Sequence, residues 1–206
     1  MSIPRSIFQI WLGDKPRPEK WMKTWKNLHP DWEYNVWNEK AIRMLPLKNE
    51  ELFDKYKEMG MFYGMADVAR IEILLKYGGI YIDADCECLE SLEGAEFIDL
   101  DFFTVYANKM DKEPGRVSNG VIGAIKGHPI MEDYVKKMGE AKEITPCWRT
   151  IGGTLFTKCI NDYGIEKVKI LPPHYFWPEN LRGTIKYKGK DKIYARHYWG
   201  QTKKLY

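Results

Sequence analysis

No stretch of this sequence approaches the ~20 consecutive apolar residues that a membrane span requires. Nor does the N-terminus carry a charged segment followed by an apolar run. The expectation is a cytoplasmic protein with at most peripheral membrane contact. Cysteine is scarce: Cys86, Cys88, Cys147 and Cys159 are the whole complement, and they are expected as reduced thiols. Cys86 and Cys88 stand beside an acidic pair, yet no histidine or second close cysteine pair supplies zinc spacing. Charge of one sign is also lacking, the net value being +3, which gives no case for non-specific nucleic-acid binding. Long linkers and internal repeats are missing too. With 44% hydrophobic and 30% charged residues, 206 residues suffice for one domain with a sizeable core.

What the chain has in quantity is aromatic surface, eight Trp and thirteen Tyr. Such rings either fill a core or offer faces on which sugars and nucleobases stack. Basic residues gather near the end, where Lys186, Lys188, Lys190 and Lys192 alternate around Gly189. They read as the solvated face of a hairpin, which discourages edge pairing, or as a surface for anionic lipid or a phosphorylated acceptor.

The most informative run is Gly78-Gly79-Ile80-Tyr81-Ile82-Asp83-Ala84-Asp85. It brings two carboxylates to the end of a buried strand, where they can converge on one hard cation. Oxygen ligands favour magnesium or manganese over zinc. An Asp-x-Asp also occurs in solvated turns, where the side chains cap their own backbone. Immediately upstream, residues 63–77 have the apolar density of a largely buried helix that Gly78 terminates. Asp67 and Arg70 are three apart on one face of it. A charged pair on an apolar element needs a partner, so it is either a structural ion pair or part of a site.

Strands are expected near 5–10, 33–37, 79–83, 102–106, 120–125, 167–170 and 193–198, and helices near 18–28, 48–58, 63–77, 128–141 and 151–162. This alternation argues for an α/β sheet with helices on both faces and ligands at the carboxyl ends of strands. Asn119 precedes an apolar strand, either as a turn residue or as a ligand contact. Thr150-Ile151-Gly152-Gly153-Thr154 opens a helix whose amides suit a hydroxyl or phosphate. His174 has no assigned role.

Asp67-x-x-Arg70, Leu74 and Gly78-Gly79-x-Tyr81-x-Asp83-x-Asp85 resemble the sugar-binding region of the DXD-containing glycosyltransferases of family 32. That family includes capsular-polysaccharide and initiation-mannosyltransferase-like enzymes, and its spacing is shared with the large glucosylating toxins. The opening Ile3-Pro4-x-x-Ile7-x-x-x-Trp11-x-Gly13 is similar to the family's start. His197-x-x-Gly200-x-x-Lys203 resembles the terminal element of the related family 8; family 32 chains usually place a Trp further on.

The resemblance implies a small GT-A type fold, a Rossmann-like mixed sheet flanked by helices. It implies a single domain over 1–206, with a nucleotide-sugar half to about residue 110 and an acceptor half beyond it. Asp67, Arg70, Asp83 and Asp85 would be catalytic. Trp11, Tyr81, Asn119, Gly152 and Lys203 would contact the donor, Trp11 stacking on the base unless it is a core aromatic. Asp83, Asp85 and His197 would hold Mn2+ or Mg2+. The implied reaction moves a hexose, with retention, from a nucleotide sugar (a UDP-sugar by analogy) to a glycan, lipid-linked or other hydroxyl acceptor, as in polysaccharide biosynthesis. No nucleic-acid partner is expected. Two rivals remain: a haloacid-dehalogenase-like phosphohydrolase, which also uses Asp-x-Asp but wants a small residue where Glu87 stands, and a non-catalytic nucleotide-sugar binding module.

Overall fold

The computed structural model describes residues 2–107, 115–184, 186–200 and 202–205. The described elements are, in chain order, β1 (Ser6–Ile10), α1 (Glu19–Leu28), β2 (Glu33–Trp37), α2 (Glu39–Ile42), α3 (Glu50–Glu58), α4 (Phe62–Tyr77), β3 (Gly79–Ile82), β4 (Cys86–Cys88), β5 (Phe102–Tyr106), β6 (Val117–Ala124), α5 (Pro129–Gly139), α6 (Cys147–Thr150), α7 (Gly153–Tyr163), β7 (Lys169–Leu171) and β8 (Ala195–His197). No described helix is long and apolar enough to cross a membrane.

A mixed sheet runs β2-β1-β3-β6-β5-β7, and β4 pairs with β8 in a separate ribbon. β1 is parallel to β2 and β3, whereas β6 is antiparallel to both β3 and β5. Residues in a strand alternate between faces, and here both faces are apolar. Phe8, Ile10 and Tyr81 join the core beneath α3, α4, α5 and α7, while Ile7, Ile80 and Ile82 join the core on the side of α1 and the C-terminal segment. This is the expected mixed α/β sheet covered on both faces. Trp21, Trp25, Trp32 and Trp177 are core residues.

Helix α4 is apolar nearly all round because the sheet, α3 and α5 enclose it. Its buried Glu72 receives the Lys48 and Asn49 amides at 2.6 and 2.7 Å, which anchors the entry to α3. Gly78 and Gly79 then turn the chain into β3 with φ of +72° and +104°, and an added Cβ would meet the Lys126 amide or the Ser6 carbonyl. Both the left-handed backbone and the close approach require glycine.

Several expectations need correction. The sixth strand begins at Val117, so Asn119 lies in a strand and not in a turn. The β5–β6 register shifts between Thr104 and Val105, leaving Asn119 beside an irregularity that re-aims it. Thr104 Oγ1 fills the gap, 3.0 Å from the carbonyls of both Ser118 and Val121. Short β4, α2 and α6 escape periodicity because three or four residues complete no repeat. The lysine-rich segment is not a hairpin: Lys186 makes one isolated bridge to Glu179, and 187–194 form no strand. Tyr187 instead stacks on His174, with centroids 4.0 Å apart. The expected division near residue 110 lies outside the described residues, as does Gln201; the sheet itself joins strands from both expected halves.

Candidate active site

β3 ends at Ile82, so Asp83, Ala84 and Asp85 form the turn between the main sheet and the β4–β8 ribbon. The two carboxylates thus leave the strand before sharing a face, and both line one cavity. Gln9, fully buried on β1, holds that turn. Its Nε2 donates to the Asp83 carbonyl at 3.0 Å, and its Oε1 accepts from the Tyr34 hydroxyl at 2.7 Å.

Four side chains converge behind the turn. Arg70 Nη2 lies 3.1 Å from Asp67 Oδ1, as three-residue spacing on α4 requires. Arg70 Nη1 reaches Asp83 Oδ1 at 3.2 Å and the Asn119 carbonyl at 2.8 Å, and the guanidinium lies 4.4 Å from the Tyr81 ring centre. The Tyr81 hydroxyl donates to Asp83 Oδ1 at 2.7 Å. Asn119 Nδ2 donates to Asp67 Oδ1 at 2.8 Å. Burial raises the Asp67 carboxyl above its ordinary range, against the opposing pull of Arg70. This is a satisfied buried ion pair whose arginine also lines a cavity.

In front of the turn, His197 on β8 brings Nε2 to 2.9 Å from Asp85 Oδ1 and 3.8 Å from Asp83 Oδ2. The Gly200 amide donates to Asp85 Oδ2 at 2.7 Å. Burial alone would raise the Asp85 carboxyl, but His197 and the Gly200 amide outweigh it and the carboxyl is held low. Burial likewise disfavours charge on His197, and Asp85 overrides it, so its imidazole titrates above the ordinary value. The pair is ionic. Trp199 packs edge-on against the imidazole at 4.1 Å from a left-handed backbone with φ of +58°.

The cavity over these groups measures about 470 Å³ and is lined on one side by Trp11, Phe62 and Tyr63 and on the other by Arg70, Tyr81, Asp83, Asp85 and His197. This size suits a small ligand. Trp11 is therefore on the cavity wall and not in the core; its indole N–H donates to the Lys15 carbonyl at 2.8 Å. Of the residues expected in the site, Asp67 and Asn119 lie behind Arg70 and are not part of the cavity lining, and Gly152 is not brought to the cavity either. The Gly152 amide donates to the Cys147 carbonyl at 2.7 Å and its carbonyl accepts from Tyr134, so it braces the start of α7. Lys203 is exposed beyond Thr202, which does line the cavity; its charge is felt at His197. His174 lies apart from the cavity lining and faces Tyr187 and Asp191.

For a divalent cation the donor chemistry fits, while the ligand atoms that lie within 4.8 Å of one another among the described residues are those of Asp85, Cys86 and His197. Asp83, Asp85 and His197 present oxygens and one imidazole nitrogen at an open cavity, and His197 Nδ1 is buried without a hydrogen-bond partner among the described residues. Carboxylates with one imidazole suit manganese or magnesium. Gln9 and Gly120 escaped the sequence reading. Gly120 leaves room for the Asp83 carboxylate, which any Cβ there would contact. Its place directly after Asn119 was the one available signal. The reading also found no histidine for Cys86, yet the β4–β8 register sets Cys86 opposite His197.

A mixed sheet with an Asp-x-Asp turn at the carboxyl end of its third strand, faced by an Asp-Arg pair, defines a GT-A type glycosyltransferase fold. The PaToxG glycosyltransferase shares it at a TM-score of 0.66 and 18% identity, over 80% of this chain and 70% of that one. Residues 16–107 match the model of the glycosyltransferase sugar-binding region containing the DXD motif. An uncharacterized glycosyltransferase, L373, of Acanthamoeba polyphaga mimivirus is 32% identical over 197 residues, covering 87% of this chain and 74% of its own length. Inositol phosphoceramide mannosyltransferase 3 of Schizosaccharomyces pombe is 33% identical over 141 residues, 66% of this chain. The chain belongs to the DXD-containing glycosyltransferase family. It spans 37% of the length of the S. pombe mannosyltransferase. Family membership sets aside the phosphohydrolase alternative.

Proposed function

We propose that this chain is a metal-dependent, retaining glycosyltransferase that moves a hexosyl group from a nucleoside-diphosphate sugar to a hydroxyl acceptor. The observation that carries the reading is the joining of Arg70, Asp83, Asp85 and His197 around one cavity walled by Trp11, with Asp67 paired to Arg70 behind it. The resemblance favours a UDP-sugar. The mannosyltransferase relative favours mannose as the group transferred and an inositol phosphoceramide or similar lipid-linked hydroxyl as acceptor. A cytoplasmic, reducing setting belongs to the same reading and rests on four buried free thiols.

Asp83, Asp85 and His197 would hold Mn2+ or Mg2+, which when bound would supply positive charge for the diphosphate leaving group. Trp11 stacks on the base of the donor. Asp67, fixed by Asn119 and Arg70, accepts hydrogen bonds from sugar hydroxyls and orients the anomeric carbon. Arg70 and Lys203 add positive charge where negative charge develops on the leaving group. Tyr81 holds Asp83 and closes the floor of the site. With the Asp67 carboxylate engaged by Arg70 and Asn119, front-face substitution through an oxocarbenium-like state is preferred to a covalent intermediate.

The test measures donor binding and hydrolysis over UDP- and GDP-sugars, with and without Mn2+, for the wild type and Asp85→Ala. Metal-dependent release of one nucleoside diphosphate, lost in the variant, is the expected result. Binding without turnover toward any hydroxyl acceptor would make the chain a binding module, and no binding to any donor would overturn the reading.

A further inference from the structure

We infer that Asp85, Cys86 and His197 form a second, mutually exclusive cation site that selects soft or borderline ions such as Zn2+ and Cd2+ and withdraws Asp85 and His197 from the oxygen-rich arrangement around Asp83. Ligand atoms of these three side chains all lie within 4.8 Å of one another. The geometry follows from the ribbon. Cys86 and His197 are directly opposed in the antiparallel β4–β8 register, so their side chains stand on one face, and Asp85 joins them from the adjoining turn. Cys88 is set opposite Ala195, and its thiol lies 3.3 Å from the Glu90 carbonyl. The second cysteine of the pair is therefore no part of the cluster.

The donor set decides the ion. Sulfur, imidazole and one carboxylate make a zinc-type set, whereas Asp83, Asp85 and His197 make a hard-ion set. Both sets claim Asp85 and His197, so one ion excludes the other. A cation enters through the cavity that Ala84, Asp85 and His197 line. Cys86 itself is fully buried behind that cavity wall. On binding, the Cys86 S–H bond and the His197 Nε2–H bond break, bonds from sulfur and nitrogen to the metal form, and both protons leave to solvent. The ion is then drawn toward the ribbon and away from Asp83. Zn2+ inhibits wherever Mn2+ activates; that consequence rests on the transferase reading, while the site itself does not.

The test titrates the whole chain with Co2+, a coloured stand-in for zinc, and with Cd2+, and reads the sulfur-to-metal charge-transfer band without any sugar donor. The wild type and Cys88→Ser show the band; Cys86→Ser and Cys86→Ala lose it. In Cys86→Ser, Zn2+ binds about 10–100-fold more weakly, the range expected when a metal site loses a supporting group, while Mn2+ binding changes by less than about threefold, the hard ion favouring oxygen donors. X-ray absorption at the zinc edge of the wild type shows one sulfur at about 2.3 Å and needs no variant to fold. A zinc shell of nitrogen and oxygen only, or a band that survives in both Cys86 variants, overturns the inference. A band in a chain that transfers no sugar leaves the inference standing and removes the proposed function; transfer without a band does the reverse.

Discussion

The side-chain amide of Asn119 donates to Asp67 Oδ1 at 2.8 Å while the Asn119 backbone carbonyl accepts from Arg70 at 2.8 Å, so one strand residue ties both members of the buried ion pair. Replacing it with alanine leaves a buried carboxylate short of a donor. The expected cost is about 1–3 kcal/mol of stability, with a larger fall in donor turnover than in donor affinity, because orientation is lost before charge. Urea unfolding beside steady-state kinetics checks this. Unchanged turnover in a folded Asn119→Ala protein would make the contact purely architectural.

Arg70 is not replaceable by lysine. Its fork spans Asp67, Asp83 and the Asn119 carbonyl and lies over Tyr81, and a single ammonium group reproduces only part of that. Arg70→Met strands two carboxylates and is expected to cost about 3–5 kcal/mol, with Arg70→Lys between it and the wild type. Denaturant midpoints for the two variants decide; a loss in Arg70→Met below about 1 kcal/mol, the range of an exposed pair, would contradict the buried network.

Gly120→Ala separates site from scaffold. The backbone there is not left-handed, and the added Cβ meets the end of the Asp83 side chain, which can swing away. The fold should therefore survive, while Mn2+ affinity falls about 10–100-fold because a supporting position is disturbed. Mn2+ binding read by electron paramagnetic resonance gives the answer, and native-like affinity would show that Asp83 does not serve the cation.

Stability should fall in mild acid through two histidines remote from the cavity. His29 donates from Nδ1 to the Trp25 carbonyl and accepts the Leu92 amide on Nε2, both at 2.8 Å, so the fold holds it neutral. His128 accepts the Ile130 amide on Nδ1 at 3.2 Å and caps α5. Burial lowers both imidazoles below the ordinary value, against weaker opposition from the Trp25 carbonyl and Glu93 at His29 and from Asp101 at His128. The unfolded chain therefore takes up protons at higher pH than the folded one. Their contribution is complete above the unfolded value and is lost as pH falls through the folded values. Each adds a slope of at most about 1.4 kcal/mol per pH unit. Urea midpoints from about pH 7.5 to about pH 5 measure it, and His29→Gln should flatten the curve. His197, whose imidazole is raised, pulls the other way in the same window, so the comparison of wild type with His29→Gln decides, and an unchanged slope in the variant would reverse the assignment.

Much of the site was legible because it is local. Asp67 and Arg70 meet through helical spacing, and Tyr81, Asp83 and Asp85 follow from one strand and its end. Apolar periodicity likewise announced the long elements, whereas β4, α2 and α6 are too short to show a period. Gly152 misled because a glycine at a helix start suits an anion, while here neighbouring backbone takes its amide.

By itself the sequence determined the mixed α/β alternation, the buried α4, and an acidic turn held by Gly78-Gly79 at the end of β3, since these depend on side-chain size, periodicity and backbone freedom within a few residues. Only the tertiary structure decided which distant groups complete that turn. Gln9 reaches Asp83 because β1 lies beside β3, Asn119 reaches Asp67 because the β5–β6 register slips, and His197 meets Asp85 and Cys86 because β8 pairs with β4. Pairing between strands far apart in the chain is fixed by the packing of the whole core, and no local pattern encodes it.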